Sequence, residues 1–446
     1  MTTKLLSAVG SADGDTERHE RPLDAWRVPV SEQGERFVHE IIRCVEHYEC
    51  ETGQRKRKRK PKDELSFRQA ITAVASDLAV YAIAGESHGV YLSLSHRKPA
   101  QKSRYRDPTA TRKMSELLKM LSSPQLDLIK FEIGYETAKG KNRATVIRPS
   151  AGMMQLIAKC GLSLQDFGEV ERTEPIELKT GKENYRDRGR RVDYKETART
   201  INLREQMQGI NRQLAAADIQ YVGPKAVDTN KRQMRRVFTC NSFESGGRLF
   251  GGFWQTMKKI DRLRDIRING ETVVELDYGQ VMPRLMYAHL GIYPMMEDLY
   301  AIEGFEQERK GVKKVMSSMQ FVMSPLKRFP KGTRKYFHKG VKVQDVTGAI
   351  MDTHQSIADL FHTGIGHHCQ YLESCILVEV LRILNSFNIT ALPIHDAIIV
   401  PASAVEEAKR VMLQTFEVKT GQKGTVDALT PQKLEDQLQP KLPLVA

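Results

Sequence analysis

The stretch ALPIHDAIIVP, residues 391–401, sets His395 and Asp396 between two short apolar runs. Apolar and β-branched residues on both sides predict two strands joined by a tight turn. Asp is a good turn residue, because its side chain bonds its own backbone. An aspartate at the tip of a rigid hairpin also serves a second purpose, offering a fixed carboxylate to a metal ion. Choosing between the two readings requires partners elsewhere in the chain.

The first partner lies in TVVELDYGQVMPRLMYAHLG, residues 272–291. Its β-rich start delivers Asp277 at or near the end of a strand, and a helix is expected after Pro283. Two carboxylates on adjacent strand ends can share a pair of divalent cations. Such ions sit about 3.5–4 Å apart and stabilise both the attacking and the leaving oxygens of a displacement. Mg²⁺ is the natural choice, with Mn²⁺ as an alternative, since Mg²⁺ takes one or two carboxylates plus phosphate oxygens. The second partner is ERKGVKKVMSSMQFVM, residues 308–323, where Arg309, Lys313, Ser317 and Phe321 recur at four-residue steps. These positions drift by only about 40° per step, so they line one side of a helix. That side suits a triphosphate at its basic end and a base or sugar against Phe321. Taken alone, the segment reads first as an exposed charged helix with a core phenylalanine.

The 446 residues are 40% apolar and 28% charged, and they allow two or three domains with proper cores. No apolar run is long enough for a transmembrane helix, and the N-terminus carries no signal-peptide pattern. Six scattered cysteines form no C-x-x-C pair, which fits a reducing compartment. A cytoplasmic protein of a bacterial or phage-infected cell, with no membrane partner, is the expectation. His47 with Cys50, and the segment 367–375, lack a second half at zinc-finger spacing. A net charge of +14 favours polyanionic partners, nucleic acid first. Basic runs such as QRKRKRKPKDE (54–64) and RDRGRRVDYK (186–195) recur along the chain, as a phosphate-tracking surface requires.

Along the chain, residues 1–35 read as a flexible tail and 36–165 as a helical nucleic-acid-binding domain with its basic run at 54–62. Residues 166–235 read as a basic helical connector or thumb, 236–425 as the catalytic domain and 426–446 as a loose tail. Within the second segment, helices followed by a hairpin with a basic tip resemble a winged helix. The helix 114–121 would be its recognition element, and Lys139, Lys141 and Arg143 its wing.

The order strand-Asp, then R-x3-K-x7-F, then His-Asp in a hairpin resembles motifs A, B and C of the family A DNA polymerases. It is similar also to the single-subunit phage-type RNA polymerases. DYGQVMPR matches motif A at Asp277, Tyr278, Gln280 and Arg284, and IHDAIIV matches motif C at His395 and Asp396. SGGRLFGG is similar to the T-G-R segment upstream of motif A and points to Arg248. The resemblance runs from Gly246 to Val400, with the two acids 119 residues apart. It implies an α+β fold: a right-hand polymerase palm of antiparallel sheet with helical fingers, preceded by the winged-helix-like domain. Asp277 and Asp396 would bind two Mg²⁺ ions. Arg309, Lys313, Ser317, Phe321, Tyr278 and Met282 would face the nucleoside triphosphate, with Lys313 protonating the leaving pyrophosphate. Arg248, His395, Gln280 and Arg284 would contact primer–template, and Gln370 and Glu373 would support them.

Four departures bear on this reading. Ala397 stands where the DNA polymerases place a glutamate after His-Asp, and Met282 replaces the motif A glutamate. Val322 replaces the glycine after the motif B aromatic, and no proofreading domain is recognisable. The expected function is a Mg²⁺-dependent, template-directed polymerase extending a primer 3′-hydroxyl with release of pyrophosphate, more on the DNA than on the RNA side. The alternatives are an RNA polymerase or primase, a template-independent nucleotidyltransferase, and a catalytically silent nucleic-acid-binding protein of replication or regulation. A nuclease or other two-metal phosphotransferase would call for more clustered acids.

Overall fold

The computed structural model describes residues 20–92, 94, 103–111, 113–134, 144–181, 187 and 189–438. The chain is mixed α+β with small, largely antiparallel sheets, and it divides into two compact units at Phe167/Gly168, residues 102–106 belonging to the second. No described helix is long and apolar enough to cross a membrane.

In the first unit, helices Glu32–Glu51 and Pro61–Ile83 pack with a four-stranded sheet. Ser31 caps the first helix by accepting from the Gly34 amide, and Pro61 opens the second at a position where its missing N–H costs nothing. Ordered structure therefore starts well inside the expected 1–35 tail. Arg21 pairs with the fully buried Asp77 at 2.7 Å, which pins the N-terminal segment to the second helix. The basic run is partly absorbed as well. Arg59 reaches Glu49 at 2.6 Å and lies 3.3 Å from the Phe67 ring centroid, whereas Lys56, Arg57, Lys58 and Lys60 stay exposed. The helix Met114–Leu121 and the antiparallel pair Ile129–Glu132 with Thr145–Pro149 form where expected. Five of the eight helical residues are buried, however, leaving Glu116 and Lys119 as its exposed side chains, little for a groove to receive. Lys139, Lys141 and Arg143 lie outside the described residues.

The second unit holds one continuous core. All but the first two residues of the expected connector 166–235 belong to this unit, and they do not form a separate thumb. Helix Ala198–Ala216 buries Leu203, Met207, Ile210 and Leu214, and strand Ile176–Leu178 runs parallel to Arg235–Thr239. The expected boundary near 235 thus falls inside a sheet. At the centre lies a four-stranded antiparallel sheet in the order Leu392–Ile394, Ala397–Pro401, Val273–Tyr278, Val426–Leu429. The last strand and the helix Pro431–Leu438 replace most of the expected loose C-terminal tail. Val426 is buried, and the strand pairs with the central one from Glu275↔Leu429 to Tyr278↔Val426. Four residues with two apolar side chains on the inner face are too short a run to announce a strand by alternation.

Candidate active site

Side chains alternate across a strand, so Val273, Glu275 and Asp277 share one face of the central strand and Val274, Leu276 and Tyr278 the other. The second face is core. Tyr278 is buried, donates its hydroxyl hydrogen to the Met412 carbonyl at 2.7 Å and packs against Phe416 of the helix Val405–Thr420. This places it across the sheet from Asp277, with its polar atom already engaged.

On the first face, Glu275 is buried beneath two cations, Lys259 at 2.6 Å and Arg262 at 2.9 Å. Asp277 stands one pleat further along, opposite Ala397. The next residue back is Asp396, whose carbonyl accepts from the Tyr278 amide at 3.4 Å. Ile394 pairs with Ala397, so His395 and Asp396 are themselves the two-residue turn of the hairpin. Such turns favour positive φ, and His395 adopts φ +53°, a conformation costing a non-glycine residue about 1 kcal/mol or more. The surroundings hold it there. Trp254 donates its indole N–H to the Pro393 carbonyl at 2.9 Å, Gln255 donates to the same oxygen at 3.1 Å, and Phe250 meets the His395 ring edge-on at 5.8 Å.

The two aspartates therefore sit at the same end of neighbouring strands, and they repel. Burial, then Asp396, then Glu275 push the Asp277 carboxyl up to about 7. Its Oδ1 is buried with no hydrogen-bond partner. A third carboxylate joins them from the helix Gly366–Ser386. Glu373, 2% exposed, accepts both guanidinium hydrogen bonds of Arg248, at 2.7 and 2.8 Å. Burial pushes Glu373 up to about 7 against the pull of Arg248, and Asp396 and Asp277 add to the rise. Burial and the Arg248 charge hold His395 below its usual range, which keeps the imidazole neutral at physiological pH.

The basic helix Arg309–Phe321 is amphipathic, as its spacing requires. Val312, Val315, Met316 and Met319 are buried, while Arg309, Lys313 and Ser317 are exposed and Phe321 is half-buried, edge-on to His367 at 5.2 Å. Lys313 and Lys259 both draw the Asp277 carboxyl downward, so the helix face and the acid lie in electrostatic range. Tyr300 ties them together. Arg309 and Lys313 lie 5.4 and 5.6 Å from its ring centroid, and the charge of Asp396 contributes to holding its hydroxyl protonated behind the larger effect of burial. Arg309 is occupied by a two-pronged pair with Asp298, at 2.5 and 2.8 Å.

Gln280 and Arg284 are occupied as well. Both donate to the Glu297 carbonyl, at 3.2 and 3.3 Å, and the Gln280 side chain accepts from the Leu299 amide, so the pair straps the 297–299 segment. Met282 is half-buried against the core. Lys259, Tyr300 and Trp254 carried no motif. Their relation to the acids exists only once the sheet is assembled.

Among the described residues, no three His, Cys, Asp or Glu side chains form a metal-ligand group. The donors present are hard carboxylate oxygens, one of them buried without a partner. That set suits a Mg²⁺- or Mn²⁺-type cation and not zinc. Comparison with known proteins adds no relative: no protein-family model matches the chain, and no curated protein matches it significantly.

Proposed function

We propose that the chain is a Mg²⁺-dependent nucleotidyltransferase of the polymerase kind, extending a primer 3′-hydroxyl on a nucleic acid template with nucleoside triphosphates. The carrying observation is the pair Asp277 and Asp396 at one end of adjacent antiparallel strands, with a buried oxygen of Asp277 unpartnered. In this reading the central sheet is the palm, the basic helix belongs to the fingers, and the first unit is an accessory domain that contacts nucleic acid through the exposed Lys56, Arg57, Lys58 and Lys60 of its basic run.

Asp277 and Asp396 would hold the divalent cations, which when bound neutralise phosphate charge and favour the hydroxylate form of the attacking 3′-OH. Lys313 Nζ, exposed on the helix face, binds the triphosphate and hands a proton to the departing pyrophosphate. Arg309 reaches the triphosphate by exchanging the Asp298 carboxylate for phosphate oxygens, a like-for-like two-pronged contact. Neutral His395, braced by Phe250, borders the primer terminus. Ala397, the small residue opposite Asp277, leaves room beside that carboxylate where a larger acid would crowd it.

The test is primer extension with Mg²⁺, comparing dNTPs with NTPs on primed, unprimed and single-stranded templates. Template-dependent synthesis that disappears in Asp277→Asn and in Asp396→Asn supports the proposal. Synthesis retained by either variant removes the acids from the chemistry.

A further inference from the structure

Between Arg309 and Lys342 the sequence holds eleven lysines and arginines and no acidic residue. The first four lie on the basic helix, and the other seven follow in SPLKRFPKGTRKYFHKGVK, residues 324–342. This second segment matched no motif in the sequence and has no part in the site above.

It is a built structure and not a loose charged loop. Phe329 and Phe337 stack with centroids 4.9 Å apart, and Phe337 closes on Gly311 of the basic helix, where an added Cβ would meet its ring at 2.6 Å. Arg334 donates to the carbonyls of Phe337 and His338, and Thr333 is buried. Tyr336 lies under two ammonium groups, Lys314 at 4.9 Å and Lys335 at 5.4 Å. On this frame Lys327, Arg328, Lys331, Lys335, Lys339 and Lys342 are all exposed, and none has a carboxylate within ion-pair distance among the described residues. Nearby acids are spent elsewhere: Asp298 on Arg309, Glu308 on His338 and Asp345 on the Lys342 amide.

Like charges gathered on a rigid frame repel one another, at a cost to folding with no internal return. A phosphodiester backbone reverses that cost, since each neutralised phosphate releases a condensed counterion. We infer that residues 327–342 form a nucleic-acid backbone-binding ridge, contiguous with the cationic face of the basic helix. Aromatic rings here face inward and hold the frame, so the ridge recognises phosphate spacing and not base identity. The inference extends the polymerase reading to a second surface but stands on charge and packing alone, so binding is to be measured without divalent cation or triphosphate.

The experiment uses the full chain and a fourfold variant, Lys327→Gln, Arg328→Gln, Lys331→Gln and Lys335→Gln, with fluorescent single-stranded and duplex oligonucleotides of equal length in EDTA. All four side chains are exposed, and a melting temperature no lower than that of wild type confirms folding. The variant is expected to bind at least tenfold more weakly near 0.1 M salt. Its log–log salt slope should be shallower by about 3 for single strands, or by nearly 4 for duplex if duplex is the natural ligand. A slope unchanged and an affinity within twofold of wild type overturn the inference. So does tighter binding to phosphatidylserine vesicles than to either oligonucleotide, lost in the same variant. Asp277→Asn, measured alongside, should bind like wild type. Its loss of extension with binding intact separates the chemistry from the ridge, whichever of the two fails.

Discussion

Replacing Asp277 with asparagine should make the cation-free protein more stable at alkaline pH, the reverse of what removal of a buried polar contact does. The carboxyl is pushed from an ordinary 3.8 up to about 7 by burial and by Asp396, so its charged form is unfavourable in the folded state. A group whose folded pKa is raised contributes its stability below the unfolded pKa, near 4, and loses it as pH rises through 7. The rise of roughly 3 units sets a ceiling of about 4 kcal/mol, and relaxation and water entry leave about 2 kcal/mol as the expected gain. For a unit of this size that is a rise in Tm of about 5 °C. The assay is thermal unfolding of wild type and Asp277→Asn in EDTA from pH 3.5 to 8.5. The two curves should come together below pH 4, where the carboxyl is protonated in both the folded and the unfolded chain, separate between 4 and 7, and run parallel above 7.5. Adding Mg²⁺ at pH 8 should raise the wild-type Tm by mass action and leave the variant unmoved. A variant equally or less stable than wild type at pH 8, or a difference independent of pH, would refute the reasoning and make Asp277 a satisfied structural residue.

Other outcomes follow from the same geometry. Arg248→Ala strands Glu373 as a buried carboxylate and should destabilise by about 3–5 kcal/mol at pH 8, with much of the loss recovered in Arg248→Met/Glu373→Met; urea unfolding reads both. Trp254→Phe removes one of two donors to the Pro393 carbonyl, so a modest loss of about 1 kcal/mol should accompany a larger fall in kcat than in substrate affinity, because the turn carrying Asp396 loosens. Truncation after residue 424 deletes the edge strand and the following helix. Circular dichroism and limited proteolysis should show a weakened second unit, whereas an unchanged melting curve would restore the loose-tail expectation. Mg²⁺ affinity, followed by calorimetry in buffers of different protonation enthalpy, should show proton release and fall as pH drops below 7.

The elements of the candidate site were legible where a short pattern fixes a local shape. The His-Asp turn, the strand ending in Asp277 and the four-step face of the basic helix each follow from the period of their own residues. What a side chain reaches across the fold was not legible. Tyr278 and Asp277 are neighbours in sequence and stand on opposite faces of one strand, so the motif that paired them could not say that only Asp277 shares a face with Glu275. Gln280 and Arg284 carry polar groups that suit a ligand equally well, and the structure spends them on the carbonyl of Glu297 and the amide of Leu299. The segment 166–235 looked like a connector because its basic residues mask the helical stripe Leu203–Met207–Ile210–Leu214, which is visible only against the core it completes.

The position of the central strand in its sheet sets an order of events during synthesis. Asp277 leaves the ribosome about 120 residues ahead of Ala397 and about 150 ahead of Asp427, its two cross-strand neighbours. At roughly 5–20 residues per second, the strand Val273–Tyr278 waits about 6–24 s with both edges bare. Such a nascent strand is a template for unwanted pairing with other chains. The first unit, whose sheet is complete by residue 149, can fold during that interval, but the second cannot assemble around its acids until the final strand emerges. Slower elongation would prolong the exposure, so the yield of soluble protein should depend on translation rate and on chaperones that shield strand edges.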